Sequence, residues 1–170
     1  RAHPLPKEQE ELLAQSLDAT QGAGQIFTMF NNADVRFPEI QDHSGKTVRL
    51  THGNFISFME DQDRRVRKDA FSSLYSVYEQ FSNTLAAAFA SNVKQAVFYA
   101  RARKYASSRE YYLSGNEVPE AVYDHLVDAV RRNLSKLHQY TRVRKKVLGV
   151  EKLHMYDLYV PLVAEADRRY

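Results

Sequence analysis

The chain has 170 residues, 44% hydrophobic and 26% charged, which supplies enough apolar material for a packed core and excludes disorder as its main state. It has no cysteine, so disulfides, thiolate nucleophiles and cysteine metal sites are excluded, and a reducing cytosol suits it. A net charge of +3 falls well short of a dedicated nucleic-acid binder. With no apolar run long enough to cross a bilayer and no apolar signal core in "RAHPLPKEQEELL", the sequence reads as soluble and intracellular, with no membrane partner.

Pro4 and Pro6 precede "KEQEELLAQSLDAT", where Leu12, Leu13 and Leu17 form one stripe and Glu8, Glu10 and Glu11 crowd the first turns, as the helix dipole favours. A helix from about 6 to 20 follows, ending before Gly22 and Gly24. Residues 25 to 37, "QIFTMFNNADVRF", are aromatic and β-branched, and "QDHSGK" is turn chemistry leading into "TVRL". Two short antiparallel strands are predicted, roughly 26–37 and 46–50, with Asn31 and Asn32 marking a bulge or bend in the first.

Thr51 or Asn54 can cap a short helix through Phe55, Ile56, Phe58 and Met59, and Asp61 or Asp63 a much longer one. From Val66 the apolar positions Ala70, Leu74, Tyr78, Phe81, Leu85, Phe89, Val93, Ala96 and Ala100 keep a spacing of fours and threes. The pattern predicts one helix over 62–103, or two nearly collinear ones broken near Ser91 and Asn92. Unbroken, it would run roughly 60 Å, longer than a compact domain of this size is wide. Together with the initial arginine and a last segment that stops in mid-pattern, this length predicts a piece of a longer polypeptide.

"SSREYYLSGNE" carries loop chemistry with one helical turn. Pro119 suits a first helical position, and Val122, Leu126, Val130, Leu134, Leu137, Tyr140 and Val147 trace a helix to Gly149, a left-handed C-terminal cap. The tail "LHMYDLYVPLV" predicts an edge or irregular strand, given Pro161. The expected fold is mainly α: long antiparallel helices with a small antiparallel β-hairpin and a C-terminal strand. Residues 1–50 would form the first helix and hairpin, 51–149 a long-helix scaffold, and 150–170 the start of the next segment, with no complete catalytic domain.

Candidate chemistry is sparse. Arg64, Arg65, Arg67 and Lys68 span about one helical turn and so point in several directions, with Glu60, Asp61 and Asp63 in reach for pairing. A salt-bridged helix face is the favoured reading, a phosphate-binding patch the other. The histidines are His3, His43, His52, His125, His138 and His154, and the closest pair is nine residues apart, so no local His-Glu-x-x-His zinc helix exists. His125 with Asp124 and Asp128 is the nearest approach to a ligand cluster and reads better as a polar helix face. His52 reads as a helix-start residue, and Asp157 as an acid paired with an arginine rather than one facing a cleft. No Gly-rich phosphate loop or Gly-x-Ser-x-Gly elbow occurs.

Four strings carry a resemblance: "LTHGNFISFMEDQDRRVRKDAFSSLY", "FTMFNNADVRFPEI", "NTLAAAFASNVKQAVFYARARKY" and "LHMYDLYVPLV". They resemble the oligoendopeptidase F family of thimet-oligopeptidase-like zinc metallopeptidases, from about Pro4 to Val163. The resemblance implies a cytoplasmic, mostly helical enzyme several times this length, enclosing a channel and hydrolysing short peptides. In that family zinc sits on a His-Glu-x-x-His helix plus a downstream glutamate, and the motif's glutamate activates the metal-bound water. None of the six histidines here matches those elements, so no catalytic or metal residue is carried over, the substrate-binding residues stay unassigned, and no zinc is expected in this segment. It implies a non-catalytic interior segment whose hairpin and C-terminal strand border the cleft, and whose partner is the remaining catalytic part of the same polypeptide. The competing readings are an independent helical interaction module, gripping nucleic acid through Arg64 to Lys68, and a self-contained enzyme with a site around His125.

Overall fold

In the computed structural model, which describes residues 3–163, α1 (Lys7–Thr20) starts on the carbonyl of Pro6, which accepts from the amides of Gln9 and Glu10. One residue, Gln21, separates it from α2 (Gly22–Met29), and a π-helical turn follows over Phe30–Asp34, closed by the Val35 amide on the Phe30 carbonyl at 2.9 Å. The strand expected over 26–37 is therefore helical. Its aromatic and β-branched composition gave a strand signal that packing overrides, because α2 lies along α5 (Ser82–Ala102). Asn31 and Asn32 sit inside the π turn, where one amide donates to the other.

These helices belong to the first of two compact units, each assembled from separated stretches of chain: residues 1–35 with 81–132, and 36–80 with 133–170. In the first unit α1 is tied to α5 by polar contacts more than by a broad core. The Tyr99 hydroxyl bonds Ser16 at 2.9 Å and Thr20 at 2.8 Å, and both Arg103 amino groups donate to Glu10 at 2.8 Å. Leu13, Tyr99 and Ala100 are buried, whereas Ile26, Phe27, Met29, Phe89 and Phe98 stay exposed. The stretch read as a loop with one turn contains α6 (Ser108–Ser114), capped by Ser107, whose hydroxyl accepts from the Glu110 amide.

The second unit opens with a hairpin, β1 (Glu39–Gln41) and β2 (Thr47–Arg49), antiparallel with Ile40 opposite Val48. The predicted turn is present. Asp42 Oδ1 accepts from the amides of Ser44 and Lys46, and Gly45 takes φ +82°. Thr51 then caps α3 (His52–Met59) in a reciprocal box with Asn54, as its spacing predicts. Asp63 accepts from the Arg65 amide at the head of α4 (Arg64–Gln80), whose buried face is Val66, Ala70, Leu74 and Val77. That face, Phe37, Ile40, Leu50, Met59, Tyr156 and Val160 form the core of this unit.

The helix pattern beginning at Val66 does break, but at Phe81 (φ −104°, ψ 15°), ten residues before the expected Ser91 and Asn92. Ser and Asn are only mildly unfavourable within a helix and α5 runs through them; at Phe81 the ring packs on Phe30 at 4.9 Å, a tertiary contact with no local signal. Helix α7 (Glu120–Val147) follows Pro119 and ends at Gly149, φ +63°, as predicted. Among the described residues, 150–163 contain no strand; Met155–Asp157 form a single 3-10 turn. The aromatic tail has the composition of a strand, yet its carbonyls are taken by arginine side chains.

Candidate functional site

The most constrained polar cluster lies in the second unit around Asp157, whose side chain is completely buried. Its Oδ1 accepts from Arg64 Nε at 3.0 Å and from Arg67 at 3.1 Å; its Oδ2 accepts from Arg64 at 2.9 Å and from the His154 amide at 2.9 Å. Burial by itself would raise this carboxyl, but the Arg64 hydrogen bonds, the His154 amide and Arg67 outweigh it and hold it at about 2.

Two guanidinium groups, Arg64 and Arg67, meet this one carboxylate, a third, Arg144, meets the Asp157 backbone carbonyl, and other backbone carbonyls absorb remaining donors. Arg67, 3% exposed, donates to the carbonyls of Tyr156, Asp61 and Gln62. Arg64 reaches the Lys152 carbonyl. Arg144, the one buried residue of α7, donates to the carbonyls of Asp157 and Val160 and to the Tyr140 hydroxyl. Arg64 also lies over the Tyr156 ring, which stacks in parallel on His154 at 4.9 Å. The cluster straps residues 152–160 to the start of α4 and the end of α7. It is a closed structural hub: both carboxylate oxygens and the backbone carbonyl of Asp157 accept hydrogen bonds.

The basic run of the sequence thus divides by direction, as one helical turn requires. Arg64 and Arg67 turn inward to Asp157, Arg65 holds the carbonyls of Gln41 and Asp42 and pairs with Asp69 at 3.3 Å, and Lys68 is exposed. His52 starts α3 as expected, but its Nε2 bonds the Tyr78 hydroxyl at 2.8 Å and its ring meets Phe37 edge-on, which are longer-range contacts than a helix-start role predicts. Asp124 pairs with Arg109 rather than with His125. Asp157 pairs with arginines as predicted, on a 3-10 turn instead of a strand. Arg144 is hidden to sequence reading, since it is one of three cations, with Lys145 and Lys146, in the last turn of its helix.

A zinc site needs three or more His, Cys, Asp or Glu side chains converging on one point. Among the described residues no three stand close enough to hold a metal ion. Nor, among them, is any helix long and apolar enough to cross a membrane.

The family model described as "Peptidase family M3" matches residues 57–169. The chain belongs to peptidase family M3. A second family model, "Oligopeptidase F", matches residues 1–37 of this M3 chain. Among curated relatives, Oligopeptidase PepF of Bacillus subtilis is 46% identical over 169 residues, covering 99% of this chain and 25% of that protein. Group B oligopeptidase PepB of Streptococcus agalactiae is 46% identical over 162 residues, covering 95% and 27%. The M3 chain therefore spans about a quarter of the length of these relatives. Among solved structures, the oligoendopeptidase-F from Enterococcus faecium matches with a TM-score of 0.95 and 48% identity over 98% of this chain and 32% of its own. A putative peptidase from Chlamydophila abortus matches with a TM-score of 0.88 and 27% identity.

Proposed function

We propose that these residues are a non-catalytic scaffold segment of a cytoplasmic oligoendopeptidase-F-like enzyme that hydrolyses short peptides, with zinc and the water it activates held by residues outside this chain. The observation that carries the reading is the likeness to the E. faecium oligoendopeptidase-F, in fold and in sequence, across nearly all of this chain. The absence, among the described residues, of three convergent metal-ligand side chains supports assigning the chemistry elsewhere. What this segment contributes is rigidity: the Asp157 hub fixes the 152–160 strap on α4, and Tyr99 and Arg103 fix α1 on α5.

The test pairs two proteins. The 170-residue chain, incubated with zinc and a quenched fluorescent peptide, should neither retain the metal after dialysis nor cleave. A hybrid in which this chain replaces the matched quarter of the B. subtilis oligopeptidase should cleave the peptide and lose that activity to a chelator. Chelator-sensitive cleavage by the 170-residue chain alone would refute the scaffold role, and a soluble but inactive hybrid would refute the shared function. The alternative, a nucleic-acid module using Arg64 to Lys68, has little geometric support, since Arg64 and Arg67 are committed to a buried carboxylate.

A further inference from the structure

In the first unit, α7 is engaged on its polar side. Arg109, on α6, donates to Glu120 at 2.7 Å and to Asp124 at 2.8 Å, and its guanidinium lies over the Tyr123 ring. At about 100° per residue, Val122, Leu126 and Val130 fall together on a different side from Glu120, Asp124 and Asp128. Those three apolar side chains are 54%, 62% and 56% exposed. This reverses the usual burial of an amphipathic helix, in which the apolar stripe faces the protein's own core. A helix gains most of its stability from packing that stripe, so the sequence specifies a face that the described residues of its own unit leave uncovered.

We infer that the face of α7 bearing Val122, Leu126 and Val130 is the docking surface for an apolar face of the remainder of the same M3 polypeptide, an occupant that rests on the scaffold reading above. The relatives supply the reason. About three quarters of their length lies outside the match, and the E. faecium chain keeps this fold with two thirds of its residues elsewhere. The stripe carries no charge, so the occupant is apolar rather than a polyanion or an acidic peptide.

Because the chain has no cysteine, single substitutions can report the burial of each side of α7. Leu126→Cys and Asp128→Cys would each be introduced into the isolated chain and into the B. subtilis hybrid, and labelled with a maleimide against the unsubstituted protein as background. In the isolated chain the two variants should label at similar rates. In a peptide-cleaving hybrid Leu126→Cys should label about tenfold more slowly, since labelling then needs local opening. Equal rates in a cleaving hybrid would overturn the docking surface and leave the scaffold reading intact. A hybrid that does not cleave would remove that reading and the docking surface with it. Protection of Leu126→Cys in the isolated chain, rising with concentration alongside a dimer mass, would assign the face to a second copy instead.

Discussion

Asp157 and Arg67 stand ninety residues apart in sequence and 3.1 Å apart in space, both shut away from solvent. The pair ties a tail with no regular partner strand to the first turn of α4. A buried carboxylate among guanidinium groups is held by mutual satisfaction, so removing one member costs more than the pair contributes when complete.

Asp157→Ala should therefore lower the stability of the second unit by about 3–5 kcal/mol, because Arg67 would keep its charge in a buried place without a counter-ion. Arg64→Ala should cost less, roughly 1–3 kcal/mol, since Arg64 is partly exposed and its loss leaves Arg67 on the carboxylate. Urea unfolding followed by circular dichroism and tyrosine fluorescence would measure both.

The same carboxyl makes a pH prediction of definite sign. Held at about 2 against an ordinary 3.8, it stabilises the folded state fully above roughly pH 4, and that contribution disappears as pH falls through the folded value. The depression is worth about 2 kcal/mol. Urea midpoints taken between pH 5 and pH 2 should fall more steeply for the unsubstituted chain than for Asp157→Asn, which has lost the titrating group.

Thr51→Ala removes the side-chain acceptor of the α3 cap and should destabilise the second unit by about 1 kcal/mol. Thr51→Ser, which keeps the oxygen, should restore most of that stability in the same unfolding measurement.

Gly149 occupies φ +63°, and a Cβ placed there meets nothing within 4 Å. Gly149→Ala should then cost roughly 1 kcal/mol through backbone strain alone, with no steric clash to relieve. Gly149→Asn, which tolerates the left-handed region better, should cost less.

Fluorescence polarisation with a labelled RNA should show no tight, steeply salt-dependent binding by this chain. Arg64, Arg65 and Arg67 are spent on Asp157, Asp69 and backbone carbonyls, and a single exposed Lys68 is too little charge for a phosphate track.

Features set by local chemistry were readable in advance. The Thr51 and Asn54 cap, the Asp42 to Gly45 turn, the Gly149 terminus and the Val66, Ala70, Leu74 stripe depend on neighbours a few residues away, and each is where its spacing predicts. The misreadings share the opposite cause. "QIFTMFNNADVRF" and "LHMYDLYVPLV" have strand composition, but one is helical along α5 and the other yields its carbonyls to Arg67 and Arg144. The break at Phe81 depends on a ring fifty-one positions earlier, Phe30. Of the polar hub, the pairing of Asp157 with an arginine could be foreseen; which arginines, and the burial of Arg144, could not, because a guanidinium bonded to carbonyls leaves no charge pattern to detect.

Each unit is woven from two stretches of chain, and this sets an order of events at the ribosome. Arg67 emerges ninety residues ahead of the buried carboxylate it pairs with, and Glu10 and Ser16 precede Arg103 and Tyr99 by more than eighty. During synthesis α4 must therefore wait, with two cations facing water, until residue 157 has been made. A nascent chain halted before that point would carry the helix without its latch, a state for chaperones or proteases to meet.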